Sequence, residues 1–318
     1  MKVVVSQYLV SDDFLQDLQQ SFPGVKIHPA RTRDEEKQEI VDADVFAGEP
    51  SREVITAARR LRWIQHPGTG IDWIEQIPDL IASDIILTNT RGPHVNPMAD
   101  HVFMCLLALT HRLPELLKDQ EAHRWEGDKY IEGFTDLTGR TMGILALGDI
   151  GMATARRAQG FGMRVLGVDV RPVEPPLGIA AIWPVDRLDD LLRLSDVFVV
   201  TAPLTPQTRG LIDRRRLALL RPTAYLIVVS RGGIVDESAL ADALRSGALA
   251  GAGLDVTAEE PLPATSPLWD IRNLIITPHA SASIRELIPG RRQILKENLR
   301  RYLAGEPLLN VCDKQAGY

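Results

Sequence analysis

Only two cysteines occur in the 318 residues, Cys105 and Cys312. They stand at no metal-ligand spacing and cannot make a disulfide framework. The chain therefore reads as one for a reducing compartment, with two inert thiols. Long apolar runs are missing too. The longest, Val102–Leu109, is far short of the roughly 20 residues that a membrane helix needs. The amino terminus, MKVVVSQYLV, has neither an extended apolar region nor a small-residue cleavage site, and it reads as the first strand of a cytoplasmic protein. There is no excess of positive charge: 36 Lys and Arg face 42 Asp and Glu, a net charge of −6. That balance excludes a surface built to coat nucleic acid or an anionic membrane. The one basic run, Asp213–Leu220, reads as a solvated helix face. No HExxH segment is found, and His94, His101, His111 and His123 fit no common ligand pattern, so no metal site is expected.

What is present is a globular composition, 45% hydrophobic and 25% charged, long enough for two domains. Short apolar stretches such as KVVV, MGILAL, DVFVV, AYLIVV and NLIIT alternate with amphipathic helical ones. Several are continuous apolar runs, as in strands of a parallel sheet covered on both faces. The expected fold is α/β, with two doubly wound parallel-sheet domains. The turn formers GPHVNP precede a long helix expected from Met98 to Glu121 with a kink at Pro114. A second boundary follows TPHAS, after which a C-terminal helix is expected. The domains expected are 1–98, 99–284 and a returning segment, 285–318.

The stretch Gly143–Ala155, GILALGDIGMATA, resembles a dinucleotide fingerprint whose first glycine is missing: the three positions hold Ala146, Gly148 and Gly151. The first glycine serves the tight turn, the second lets backbone approach the pyrophosphate, and the third lets helix pack on strand. The strand before, the helix after and the next strand, ending at Asp169, are all in place. A carboxylate there accepts from both ribose hydroxyls of NAD and repels the 2′-phosphate of NADP. Arg171 could tolerate that phosphate, so NADP is not excluded. Alanine in a positive-φ conformation costs on the order of 1–2 kcal/mol, and nothing if φ is negative. Micromolar cofactor binding is worth about 8 kcal/mol, so either case is tolerable.

Three further apolar stretches break into Gly, Pro or charge: VVSRGGIVDESAL, GAGLDVTAEEPLP and IITPHASAS. Ligands of doubly wound sheets bind beyond the carboxyl ends of strands, so Arg231, Glu260 and His279 should share one crevice. Reduction of a 2-keto acid needs a cation for the carboxylate and carbonyl, which a planar Arg supplies. It also needs a proton donor titrating near neutrality, which a His supplies, and a carboxylate beside that His fixes its tautomer.

The sequence resembles the D-isomer-specific 2-hydroxyacid dehydrogenases, a family that includes glyoxylate/hydroxypyruvate reductases and phosphoglycerate dehydrogenases. The resemblance covers HPGTGID, ADHVFMCLLALTHR, GILALGDIG, TAPLTPQTRGLI, SRGGIVDESAL, AGAGLDVTAEEPLP, SPLWD and ITPHAS, in that order. It implies a Rossmann dinucleotide-binding domain, a smaller flavodoxin-like substrate domain, and hydride transfer between NAD(H) and a small D-2-hydroxy or 2-keto acid. It implies that Arg231 binds and polarises substrate, that His279 is the acid/base and that Glu260, directly before a proline, is its partner. Thr69 and Gly70 would hold the substrate carboxylate through their backbone. Gly148, Asp149, Ile150, Gly151, Asp169, Thr201, Ala202, Pro203, Ser230 and Asp255 would bind cofactor, Asp255 near the nicotinamide carboxamide. A homodimer through the 99–121 helix region is implied as well.

Ala146, Asp100 in place of the usual Glu, and ASASIREL after His279 depart from the family pattern. Glu260 argues against the formate dehydrogenase branch, and a long-form phosphoglycerate dehydrogenase is not expected. An NAD(H)-sensing, corepressor-like binding protein of the same fold is the alternative, along with an enzyme using a reductant such as phosphite. Trp63, Trp125, Trp183 and Trp269 read as packing residues, with a pocket or dimer contact as the other reading of Trp125.

Overall fold

The computed structural model describes residues 1–131, 133–171 and 174–318. Contacts divide the chain into two units, Met1–His94 with Ile284–Tyr318, and Val95–Ser283.

The first unit is built on five parallel strands: β1 (Lys2–Ser6), β2 (Lys26–Ala30), β3 (Val45–Ala47), β4 (Trp63–Gln65) and β5 (Ile86–Thr88), in the order β2-β1-β3-β4-β5. Its helices are α1 (Asp12–Ser21), α2 (Arg33–Glu39), α3 (Arg52–Ala57) and α4 (Pro78–Ala82). Side chains alternate across the pleat, so neighbouring valines of β1 serve different cores. Val4 packs with Phe46 and Ile64 on one face, while Val3 and Val5 pack with Phe14 and Trp63 on the other. That second face is completed by Leu295 and Leu299 of the C-terminal helix, Leu287–Ala304. Beyond this helix the chain runs antiparallel along β5, where the Asn89 N–H donates to the Asn310 carbonyl and the Cys312 N–H to that of Leu87. Lys314 then reaches the carbonyls of Leu80, Ser83 and Ile85 through its Nζ.

The second unit carries seven parallel strands: β6 (Thr141–Leu145), β7 (Arg164–Val168), β8 (Ile179–Trp183), β9 (Val197–Val200), β10 (Tyr225–Val228), β11 (Gly251–Leu254) and β12 (Leu274–Ile276). Their order is β12-β11-β10-β9-β6-β7-β8. Helices α5 (Val95–Thr110), α6 (Leu113–Glu121), α7 (Asp149–Gly160), α8 (Leu188–Leu194), α9 (Arg214–Leu217) and α10 (Glu237–Arg245) accompany them. The chain winds outward from β6 to β8, then restarts at β9 on the other side of β6. That reversal makes the β6/β9 junction the switch point at which doubly wound sheets bind ligands.

Several expectations need correction. The helix expected over Met98–Glu121 is two helices, starting earlier at Val95 and breaking at Arg112, whose φ is 52°. Pro114 explains the break. Its ring excludes the carbonyl four residues back, that of Thr110, which is the last residue of α5. Trp63 is fully buried, but Trp125 is 100% exposed and Trp269 is half-exposed, so neither packs in a core. Trp183 lies under the Arg187 guanidinium. Phe161, which follows α7, is partly exposed and stacks on Phe103. The basic run is the solvated helix face expected, with surface ion pairs: Arg214 meets Asp242, and Arg215 and Arg216 both meet Asp189. Burial pushes the Cys105 thiol up to about 12 and the Cys312 thiol up to about 11. Among the described residues no helix is long and apolar enough to cross a membrane, and no group of His, Cys, Asp or Glu could hold a metal ion.

Candidate active site

Six loops leave the carboxyl ends of the strands in the second unit, and each carries an expected residue. Ala146 to Gly151 follow β6, Asp169 follows β7, Thr201 follows β9, Arg231 follows β10, Asp255 and Glu260 follow β11, and His279 follows β12.

The β6 turn is built around the Ala146 carbonyl. Ala146 has φ 72°, in the left-handed region, so the missing glycine costs on the order of 1–2 kcal/mol here. This conformation presents its carbonyl to the Thr201 hydroxyl, which donates at 2.6 Å. A Cβ at Gly151 would lie 2.3 Å from the same oxygen, so the third fingerprint position admits only glycine. At Gly148 a Cβ would meet nothing within 4 Å; this N-cap and Asp149 are exposed, and no side chain caps the helix. Uncapped N–H groups at the positive end of a 12-residue helix suit a pyrophosphate. Ile150 packs back against the core. The Asp169 carboxylate accepts from the Leu147 N–H at 2.7 Å and the Arg171 N–H at 2.9 Å, fixed at the end of β7. Ala202 is buried beside the turn, and the Pro203 carbonyl accepts from the Thr208 hydroxyl at 2.6 Å. Ser230 Oγ is buried and has no hydrogen-bond partner among the described residues. An unmet buried hydroxyl costs about 1–3 kcal/mol, which a ligand's polar group would offset. Glycine cradle, helix terminus, fixed carboxylate and unmet hydroxyl fit a bound dinucleotide.

Glu260 and His279 stand exposed on adjacent strand ends, with Glu260 Oε2 2.8 Å from His279 Nδ1. The other oxygen of Glu260 accepts from the Thr257 N–H at 3.0 Å. Glu260 therefore accepts from the Nδ1–H and leaves Nε2 for another partner. Glu259, the residue before Glu260, uses its carbonyl to accept from the Thr257 hydroxyl. Arg231 lies on the next loop, its Nη1 donating to the Ser230 carbonyl at 2.9 Å. That loop presses on the Glu260 turn: a Cβ at Gly232 would fall 2.0 Å from the Thr257 carbonyl.

His279 has φ 51°, unusual for a residue with a side chain. Asp255 holds it there. The Asp255 carbonyl accepts from the His279 N–H at 2.7 Å, and its carboxylate accepts from Ala280 N, Ser281 N and the Thr277 hydroxyl. Burial opposes ionisation of Asp255, but these bonds outweigh it and hold the carboxyl below its usual range. His101 stands behind, with Nε2 2.8 Å from Thr277 Oγ1. Since that hydroxyl donates to Asp255, His101 carries its proton on Nε2. Asp255, expected near the nicotinamide, is thus buried under the loop it anchors. Asp100, the departure before His101, pairs with Arg157 at 2.6 Å and ties α5 to α7.

Thr69 and Gly70 belong to the first unit. The Asn89 amide fixes the Thr69 carbonyl at 2.8 Å, and His94, buried, approaches the Thr69 hydroxyl at 2.9 Å through Nε2. Sequence reasoning gave His94 and His101 no place beside the candidate site, because their contacts with Thr69 and Thr277 join segments far apart in the chain.

Residues 103–281 match the family model described as D-isomer specific 2-hydroxyacid dehydrogenase, NAD binding domain. A glyoxylate reductase of Korarchaeum cryptofilum is 35% identical over 269 residues, covering 83% of this chain and 79% of that protein. A D-3-phosphoglycerate dehydrogenase of Methanocaldococcus jannaschii is 31% identical over 315 residues, 96% of this chain but 59% of that protein. The chain spans about half to three-fifths of the length of the phosphoglycerate dehydrogenases it matches. Among solved structures, a D-isomer specific 2-hydroxyacid dehydrogenase from Xanthobacter autotrophicus Py2, in complex with NADPH and MES, aligns with a TM-score of 0.85 at 33% identity over 100% of this chain and 99% of that one.

Proposed function

The chain belongs to the D-isomer specific 2-hydroxyacid dehydrogenases, and from that premise we propose that it reduces a small 2-keto acid of the glyoxylate or hydroxypyruvate type to the D-2-hydroxy acid, with NADH preferred. The observation that carries this reading is the 2.8 Å pairing of His279 Nδ1 with Glu260, one loop away from Arg231.

Bound NADH supplies the hydride that reaches the keto carbon. Arg231 binds the substrate carboxylate and polarises the carbonyl. As the carbonyl oxygen gains charge, His279 Nε2 delivers a proton to it, and Glu260 stabilises the imidazolium that must exist beforehand. In the oxidative direction His279 takes the proton back. Gly148, Asp149, Ile150 and Gly151 seat the pyrophosphate, and Thr201, Ala202, Pro203 and Ser230 line the cofactor. Asp255 acts by holding the His279 loop in its left-handed turn. The Asp169 charge disfavours the 2′-phosphate of NADPH, with Arg171 beside it leaving a slower NADPH reaction open. Thr69 and Gly70 keep their substrate-holding role on the resemblance alone.

Two copies of the chain pair through the apolar side chains left exposed on α5, α6 and the segment after them: Met104, Leu113, Leu117, Trp125, Ile131 and Phe134. A reducing cytoplasm is the compartment in which the buried thiols of Cys105 and Cys312 are at home.

The test is oxidation of NADH and NADPH, followed by absorbance, with glyoxylate, hydroxypyruvate, pyruvate, 2-ketobutyrate and phenylpyruvate. Turnover with NADH well above NADPH is expected, and His279→Ala should lower kcat by roughly 10²–10⁴ with NADH affinity nearly intact. Tight NADH binding without turnover of any keto acid would replace this reading by the sensor; near-normal turnover in His279→Ala removes the acid/base assignment.

A further inference from the structure

Behind the Glu260–His279 pair lies a second carboxylate. Glu237 is the first residue of α10 and is half-buried. Its Oε1 accepts from the backbone N–H of Ala258 at 2.5 Å. The neighbouring N–H, that of Thr257, donates to Glu260 Oε1 at 3.0 Å. Two carboxylates from different elements therefore hold successive amides of one turn, and Glu260 reaches His279 from that turn. The turn is tight elsewhere as well: the Thr257 hydroxyl bonds the Glu259 carbonyl, and Gly232 packs on the Thr257 carbonyl. The helix that carries Glu237 is fixed in turn by Asp236, whose side chain caps it through the Ala239 N–H at 2.9 Å.

A glutamate in the first turn of a helix ordinarily complements the helix dipole and stays in solvent. That role requires neither burial nor a bond to a residue on another strand's loop, and Glu237 has both. Burial, and after it the facing charges of Glu260 and Asp236, push its carboxyl above the usual range against the Ala258 hydrogen bond. Glu260 faces the His279 imidazole, and Arg231 stands at the head of the loop leading to α10.

We propose that Glu237 is a positioning residue for the acid/base pair: it fixes the turn from which Glu260 reaches His279, and its charge, placed behind Glu260, favours the protonated imidazole. The proposal rests on the acid/base assignment of His279. Removing the charge should make His279 harder to protonate, so its pKa should fall. Removing the acceptor as well should let the Ala258 amide, and Glu260 with it, drift from the imidazole.

The full chain carrying Glu237→Gln or Glu237→Ala tests this, with His279→Ala to assign the resonance. Isotope-labelled histidine is titrated by NMR, NADH binding is measured by fluorescence, and keto acid reduction is followed across pH. Glu237→Gln keeps an acceptor for the Ala258 amide. It should lower the His279 pKa by about 0.5–1 unit and shift the alkaline limb of kcat by the same amount, with NADH affinity unchanged. Glu237→Ala should lower kcat about tenfold below that of the Gln variant, again without loss of NADH affinity. A wild-type imidazole titration in Glu237→Gln overturns the proposal, and so does NADH affinity that falls in step with kcat. If Glu237→Ala does not fold, the titration of Glu237→Gln decides. If the wild type reduces no keto acid, the functional reading fails, while the titration still reports whether Glu237 and His279 are coupled.

Discussion

Four described side chains of the second unit, Arg112, His123, Ala146 and His279, occupy the left-handed region of backbone conformation, and the last two stand in the candidate site. The strain at His279 is held by Asp255 and sits where chemistry is expected, the usual place for such strain. The strain at Ala146 serves no side chain, because glycine could adopt the turn freely. Ala146→Gly should therefore relieve about 1–2 kcal/mol and give back about 0.5–1 kcal/mol to the greater freedom of the unfolded chain. A net gain of about 0.5–1 kcal/mol is expected by urea unfolding, with NADH affinity unchanged; a loss of stability would mean that the alanine methyl packs usefully. The sequence already showed the types of residue needed for this chemistry, since Arg, Glu and His at strand ends have few other joint uses. It did not show the sign of φ at Ala146, because alanine is allowed on either side. Nor did it show Glu237, Asp255 or His101 in their supporting places, because such contacts come from elements far apart in the chain.

At the scale of elements, short apolar stretches, several of them continuous runs, identified ten of the twelve strands among the described residues, and the two they did not identify are β2 and β8. Each is the outer strand of its sheet. An edge strand need not be buried on both faces, and β2 carries Lys26, His28 and Pro29, a residue that only an edge tolerates. The α5–α6 break was foreseeable from Pro114, but its place was not. A proline disrupts the turn before it, so the helix ends at Thr110 rather than bending at Pro114. The β6–α7 junction gives the sharpest prediction at this scale. Gly151→Ala puts a methyl 2.3 Å from the Ala146 carbonyl, and either the helix N-terminus or the turn must shift. NADH affinity should fall at least about tenfold, since a displacement of this kind misplaces several N–H groups at once. Calorimetric titration giving wild-type affinity would show that the turn relaxes without moving the helix.

The molecule as a whole has an exposed apolar face on α5, α6 and the segment beyond, which the exposed Trp125 dominates. If a second copy covers it, sedimentation should show a dimer, and Leu117→Glu with Trp125→Glu should shift the population to monomer while each unit stays folded by circular dichroism. A wild-type monomer at micromolar concentration removes that proposal. The contact units meet at His94/Val95 and Ser283/Ile284, inside GPHVNP and just after TPHAS, where boundaries are expected from composition at 98/99 and 284/285. A returning final segment is expected from the sequence, but no local pattern announces which face it covers. Leu295 and Leu299 fill the face formed by Val3, Val5 and Trp63, the Asn298 amide bonds Gln65 at 2.8 Å, and residues 310–312 run beside β5. Translation delivers residues in order, so the first unit begins to emerge from the ribosome earliest and is completed last. One face of its sheet stays without its cover during the whole synthesis of residues 95–283, whereas the second unit, made of one unbroken stretch, has everything it needs as soon as it is out.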